Sequence, residues 1–316
     1  MAATPTPPGK PVVAQKSAGG PTSGPNTAQA TQTAPALKVA PFKIGTAGRR
    51  ERFLKLLVYG NYGTGKTWLA GSAVEVPDMR DVILINAEAG DLTLQEFDGI
   101  DEVSVKSFAT LARVYEFLKA HCVARDAGDE EKLITYQKQT FHTEEIDRLR
   151  KYRTVIIDSL SEVEQYALNQ LLGVMDSTRL DDDPMAAEWK EYKQNNTMML
   201  RLVRNFRDLP MHVIFTCAEA YTQDETKKHK YTLDLTGKLS KKVQGFMDMV
   251  GYLVVAAGED GKQARRLYVT PSASGRYDAK HRYTAFKGQY FDNPTIESIL
   301  KQTGLASREG ALLKSS

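Results

Sequence analysis

The chain has 316 residues, 41% hydrophobic and 26% charged, enough for one large or two small soluble domains. Residues 1–50 carry six basic side chains and no acid, so the formal net charge of +3 leaves 36 basic against 39 acidic residues elsewhere, which excludes a globally basic nucleic-acid binder. No apolar run of about 18 residues could span a membrane, the N-terminus lacks a basic start followed by an apolar run, so a secretory signal is not expected, and two isolated cysteines with five scattered histidines make neither a disulfide framework nor a zinc site. These features together lead to the expectation of a cytoplasmic protein, in the host cytoplasm if the source is viral.

Eight of the 13 prolines fall in the first 41 residues, among Ala, Thr, Gly, Ser and Gln. Residues 1–42 therefore read as a disordered tail, either a solvated tether or a weak nucleic-acid contact. Beyond it, short apolar runs at 53–59, 82–86, 102–105, 154–158 and 212–216 predict strands. Helical patterns at 66–74, 108–125, 144–151, 160–175 and 185–207 alternate with them, which predicts an α/β fold with a mostly parallel twisted sheet flanked by helices. A charged stretch at about 124–152 reads as an exposed, partly helical insertion. Residues 250–257 and 265–270 flank an Asp-Gly turn and predict a C-terminal β-hairpin. A last short helix is expected at 294–301. The globular domain is expected over 43–304, with 305–316 flexible.

Gly60-Asn61-Tyr62-Gly63-Thr64-Gly65-Lys66-Thr67 satisfies G-x-x-x-x-G-K-[ST] at every required position, with a strand before it and helix from Trp68 after it. The glycines allow successive N–H groups to turn inward around phosphates, and the following helix aims its positive end at the same anion. Lys66 is expected on the β/γ-phosphates and the Thr67 hydroxyl on Mg²⁺, which makes ATP with Mg²⁺ the expected ligand. A random match in a chain this long has odds on the order of one in a hundred.

Tyr152-Arg153-Thr154-Val155-Ile156-Ile157-Asp158 is an apolar strand ending in an acid, where a phosphate-loop enzyme holds Mg²⁺ opposite the loop. Asp158 is followed by Ser159, not Glu, so a water-activating base must come from elsewhere. Glu88, just past the strand at 82–86, supplies a candidate if that strand lies beside the Asp158 strand. The alternative is a loop-capping role, as for Asp91 nearby.

Asn86-Ala87-Glu88-Ala89-Gly90 resembles the Asp-Ala-Glu segment of the RecA/RadA recombinase superfamily, whose catalytic glutamate stands there, and Asp158-Ser159 resembles its second acidic motif. From about residue 53 to 304 the layout is similar to phage RecA-like ATPases of the Sak-four type. Shared features are Leu57-Val58-Tyr59-Gly60, Ile156-Ile157-Asp158-Ser159-Leu160, Trp189 with Tyr192, Leu209 to Thr216, and Ala279-Lys280-His281-Arg282. This resemblance implies a RecA-like P-loop NTPase core and a homo-oligomer with nucleotide at subunit interfaces. Lys280-His281-Arg282 resembles the Lys-Asn-Arg motif that reaches a neighbour's nucleotide, with His replacing Asn; the bland alternative is a solvated surface charge. Thr216, where RecA itself favours Gln, could bond the γ-phosphate or the attacking water, or bond only locally.

Six lysines lie within 221–245, beside Tyr221 and Tyr231, which could stack on bases while the lysines neutralise phosphates. With the resemblance, this implies single-stranded DNA as partner and a role in recombination, annealing or replication. Two rivals remain: a small-molecule phosphotransferase, for which no arginine-rich lid is evident, and a non-catalytic ATP-dependent loader or switch.

Overall fold

The computed structural model describes residues 53–305 apart from 89, 175–186, 224–226 and 258–260. The expected tail at 1–42 lies outside the described residues, as do the end of the chain from 306 and the turn of the C-terminal hairpin.

The chain opens with β1 (Lys55–Gly60), α1 (Lys66–Gly71), β2 (Val82–Asn86), β3 (Ile100–Ser104), α2 (Phe108–Ala127) and α3 (Glu130–Phe141). It continues with β4 (Thr154–Asp158), α4 (Leu160–Leu171), α5 (Trp189–Arg207), β5 (His212–Gln223), β6 (His229–Leu233) and α6 (Leu239–Phe246). The last elements are β7 (Met249–Ala257), β8 (Gln263–Tyr268), β9 (Lys280–His281), β10 (Tyr290–Asp292) and α7 (Ile296–Thr303). One sheet runs in the order β10-β8-β7-β1-β5-β4-β2-β3, with β6 beside β5 and β9 beside β7. The six strands from β7 to β3 are mutually parallel, while β8, β10, β6 and β9 pair antiparallel. This is the expected mostly parallel, helix-flanked sheet, and β7–β8 is the expected hairpin.

Every residue of β1, β2 and β4 is buried, as are the first seven of β5. That explains their unbroken apolar runs: helices cover both faces, so no alternation is needed. One face carries Leu57, Ile85, Ile157 and Phe215 against Leu118, Val163, Val203 and Val243 of the helices α2, α4, α5 and α6. The other carries Val58, Leu84, Ile156 and Ile214 against Leu69 of α1 and Ile299 and Leu300 of α7. Lys55 is buried in β1 because its Nζ donates to Leu209 O at 2.8 Å and Met211 O at 2.6 Å, tying β1 to the start of β5.

Helix ends follow local chemistry. Ser107 caps α2 by accepting from Thr110 N, and Gly128 closes it in the left-handed region at φ 69°. Asp129 then caps α3, with Glu130 and Glu131 favourable in its first turn.

The expected helix at 144–151 is absent, and the helix of this region is α3, at 130–141. Six of the eight residues at 144–151 are charged, and charge marks exposure, not helix. Those charges instead strap an irregular segment across the sheet: Arg148 pairs with Asp81, and Arg150 with Asp101 at 3.1 Å. The Gln137 side chain takes the main chain of the same segment, donating to Arg148 O and accepting from Arg150 N. The start of the supposed insertion is simply the end of α2. Strand β5 also outruns its expected end by seven residues, to Gln223.

Candidate functional site

The phosphate loop leaves β1 at Gly60, and its geometry explains the glycines. A Cβ on Gly60 would lie 2.2 Å from Leu253 O of β7, so only glycine fits where loop and strand pass. Gly63 and Gly65 have φ of 72° and 93°, values that L side chains rarely adopt. Gly65 is the N-cap of α1, which buries Lys66, Leu69, Ala70 and Gly71 against the sheet. Asn61, Tyr62 and Gly63 form the exposed crest, and the Thr64 hydroxyl donates to Asn61 O at 2.9 Å to close the turn.

Lys66 is buried, and its Nζ donates to Gly60 O and Asn61 O, both at 3.0 Å, beneath the Tyr62 ring. Burial lowers its pKa, while Glu88 and Asp158 act in the opposite direction. A lysine held by carbonyls and faced by two acids is positioned to exchange those contacts for phosphate oxygens.

The acidic residues come from neighbouring strands. β2 and β4 pair in parallel with Asn86 opposite Asp158, so both strand ends open on one edge beside the loop. Asp158 Oδ2 accepts from the Thr67 hydroxyl at 2.7 Å, which brings the two expected Mg²⁺ ligands into contact. Asp158 Oδ1 accepts from the Thr216 hydroxyl. The Asp158–Ser159 peptide is cis. Glu88 lies beyond β2 and accepts from the Ser159 hydroxyl. Partial burial raises its pKa most; Ser159 lowers it, Asp158 raises it and Lys66 lowers it. A cavity of about 540 Å³ opens beside Glu88, lined among others by Tyr62, Asn86, Lys106, Glu162 and Tyr166.

The Thr67–Asp158 pair fits a hard divalent cation. Mg²⁺ takes oxygen ligands, keeps several waters and typically uses one or two carboxylates together with substrate phosphates. Among the described residues, no cluster of three or more His, Cys, Asp or Glu side chains is placed to hold an ion.

Thr216 is fully buried and its hydroxyl is engaged on Asp158, with Ile157 O at 3.5 Å as second contact. It touches the site through that carboxylate rather than facing open space. Lys280 and Arg282 are not brought to this site. β9 pairs with the first residues of β7, which lie beside Leu56 and Leu57, so both side chains sit toward the opposite end of β1. Lys280 Nζ donates to Gly245 O at 3.4 Å, and Arg282 binds Asp248 at 3.0 Å and Gly245 O at 3.0 Å.

A family model described as an AAA domain matches residues 52–283. The chain belongs to that AAA domain family. It is accordingly a nucleotide-binding P-loop ATPase. No curated protein matches the sequence. Among solved structures, the RadB recombinase is 13% identical over 76% of this chain and 86% of its own, with a TM-score of 0.34. The pCW3 conjugation coupling protein TcpA, a monomer form with ATPγS, is 11% identical over 66% and 51%, with a TM-score of 0.29. The Legionella pneumophila ATPase DotB is 11% identical over 72% and 48%, with a TM-score of 0.29. The chain spans about half the length of these last two. Similarities this faint say nothing about individual residues.

Two residues of this AAA-domain chain escaped the sequence reading. Arg265 of β8 lies over the Trp68 ring at 5.3 Å, its Nε 2.8 Å from where a Gly65 Cβ would be. It forms no ion pair with a carboxylate among the described residues. Glu96 accepts from Trp68 Nε1 on the other side. Arg265 sits 200 residues from the loop, beside a second arginine in β8, so no local pattern marks it; only the hairpin's return, which sets β8 next to β7 and two strands from β1, does.

Proposed function

We propose that the protein hydrolyses Mg²⁺-ATP and acts on single-stranded DNA, in phage recombination, annealing or replication. The supporting observation is the course of β5. It bonds Asp158 through Thr216, then runs on without a break into the β5–β6 ribbon, where Tyr221, 57% exposed, stacks on His229 at 4.8 Å and lies 5.2 Å from Tyr231. Exposed rings beside Lys227, Lys228 and Lys230 suit bases and phosphates respectively.

In this reading the loop N–H groups and Lys66 hold the β/γ-phosphates, and Lys66 stabilises charge developing on the transferred group. Mg²⁺, held by Thr67 and through Asp158, supplies neutralisation of the phosphate oxygens. Glu88 accepts a proton from the attacking water, with its carboxylate oriented by Ser159. Trp68 flanks the nucleotide. Lys280 and Arg282, too far from their own loop, complete the site of a neighbouring subunit, which requires head-to-tail assembly into a ring or filament.

The test is the ATPase rate against protein concentration, with and without single-stranded DNA at low salt. A rise steeper than linear and stimulation by DNA are expected. A rate proportional to concentration, indifferent to DNA and coupled to phosphorylation of a small molecule would overturn the proposal in favour of a phosphotransferase. Full biological activity with Glu88→Gln would point instead to a loader or switch.

A further inference from the structure

Tyr59 is the last side chain before the phosphate loop, and it is fully buried. Its ring stacks on Tyr252 at 5.0 Å, and Tyr252 stacks in turn on Tyr231 at 5.6 Å and Tyr277 at 5.3 Å. Its phenol holds both main-chain groups of one distant residue, donating to Asp278 O at 2.6 Å and accepting from Asp278 N at 2.9 Å. Tyr231 O lies 3.4 Å from the same oxygen.

Residue 278 is also gripped from its other side. The Asp278 carboxylate takes Lys230 Nζ at 2.6 Å and the Thr232 hydroxyl at 2.9 Å, both on β6, and Gln244 Nε2 at 3.3 Å. Tyr231 N donates to Arg276 O at 2.8 Å, so the ribbon and the 276–278 segment are joined on main chain as well. A continuous set of bonds thus runs from the mouth of the loop through Tyr59 and Asp278 to a lysine of the proposed DNA ribbon.

Both ends of this path have a reason to change when ligands bind. For Lys66 to reach a phosphate it must release Gly60 O and Asn61 O, the two carbonyls directly after Tyr59. A nucleic-acid phosphate on Lys230 would compete with Asp278 for the same ammonium. A path whose two ends bind different ligands and each rearrange on binding satisfies the physical requirement for coupling, namely that each ligand makes different contacts in the two states.

We infer that Tyr59 is a positioning residue that couples nucleotide at the phosphate loop to the β5–β6 ribbon, through its paired bonds to the main chain of Asp278. The DNA side of this inference rests on the proposed function; the nucleotide-to-ribbon coupling does not. In the full chain, Tyr59→Phe keeps the stacked ring and removes only the phenol. The experiment follows amide hydrogen exchange over 55–71, 219–233 and 276–282, with and without Mg²⁺ and a non-hydrolysable ATP analogue, alongside single-stranded DNA affinity under both conditions.

In the wild type, the analogue is expected to protect the loop and slow exchange in the ribbon, and to change DNA affinity by about fivefold or more. In Tyr59→Phe, loop protection should persist while the ribbon response and the affinity ratio collapse toward none. A merely structural role would lower stability without changing these ratios. Asp278→Ala leaves the Tyr59 bonds to main chain in place and cuts the path one step later, so it should also uncouple; it decides the matter if Tyr59→Phe fails to fold. A wild-type ribbon that ignores the analogue, or either variant responding as the wild type does, overturns the inference. A wild-type ribbon that responds to nucleotide in a protein that binds no DNA leaves the coupling standing and sinks the DNA reading.

Discussion

Glu88→Gln is the most direct probe of the proposed chemistry. Glutamine keeps the length of the side chain and an oxygen for the Ser159 hydroxyl, and alters nothing in the loop that holds phosphate. What it removes is the basic site. General-base catalysis contributes about 10²- to 10⁴-fold, roughly 3–5 kcal/mol of barrier, so hydrolysis should fall by that factor while nucleotide affinity changes little. Single-turnover hydrolysis, which separates chemistry from product release, and binding of a fluorescent ATP analogue measure the two quantities. The wild-type pH profile adds a second reading. Burial raises the Glu88 pKa, with Asp158 adding to that and Ser159 and Lys66 opposing it, so the acidic limb should lie above the ordinary glutamate range of about 4.3. Activity falls as pH drops through that raised value, because a protonated carboxyl cannot accept a proton. Ser159→Ala removes the opposing hydrogen bond and should move the limb to higher pH. If Glu88→Gln binds nucleotide normally and keeps more than about a tenth of the wild-type rate, the assigned base is wrong.

Three further outcomes are expected. Gly60→Ala puts a Cβ 2.2 Å from Leu253 O and should cost about 1–3 kcal/mol or more in urea unfolding, whereas Gly63→Ala, with open space around it, should cost only the left-handed penalty of about 1–2 kcal/mol. Burial lowers the Lys55 pKa to about 7, so the unfolded chain binds the extra proton between about pH 7 and 10.5; stability should rise across that window by at most about 1.4 kcal/mol per pH unit, and Lys55→Met should flatten the rise in denaturant titrations. Lys66→Ala and Arg282→Ala should each be inactive alone, and mixing them in equal amounts should restore about a quarter of the interfaces; no recovery on mixing would remove the trans role.

The parts of the molecule legible in the sequence were those in which chemistry and local pattern coincide. Gly60 to Thr67 could be read because each loop position has a steric or ionic requirement that few residue types meet. The strands ending in Asn86 and Asp158 could be read because burial on both faces leaves an unbroken apolar run, and the structure brings their ends together as the Glu88 assignment needed. Charged surface segments were less legible, because charge reports exposure and not conformation. Residues 144–151 bind Asp81 and Asp101 across the sheet and form no helix, while 130–141, with its own Asp cap and acidic first turn, does. Long-range placement was not legible at all. Nothing near Arg265 or Asp278 in sequence says that one lies on Trp68 and the other is held by Tyr59.

The position of β1 between β5 and β7 bears on how far the chain can be shortened. Cut before Met249, the protein would turn its phosphate strand into a sheet edge, with the unpaired main chain of Leu56 to Tyr59 inviting aggregation. Stopping at residue 283, where the family match ends, would keep β7 but strip Phe291, Ile296, Ile299 and Leu300 from the apolar layer that seats α1. A truncated chain is therefore expected to need more than the stretch the family model matches, and should retain α7 to keep this layer covered.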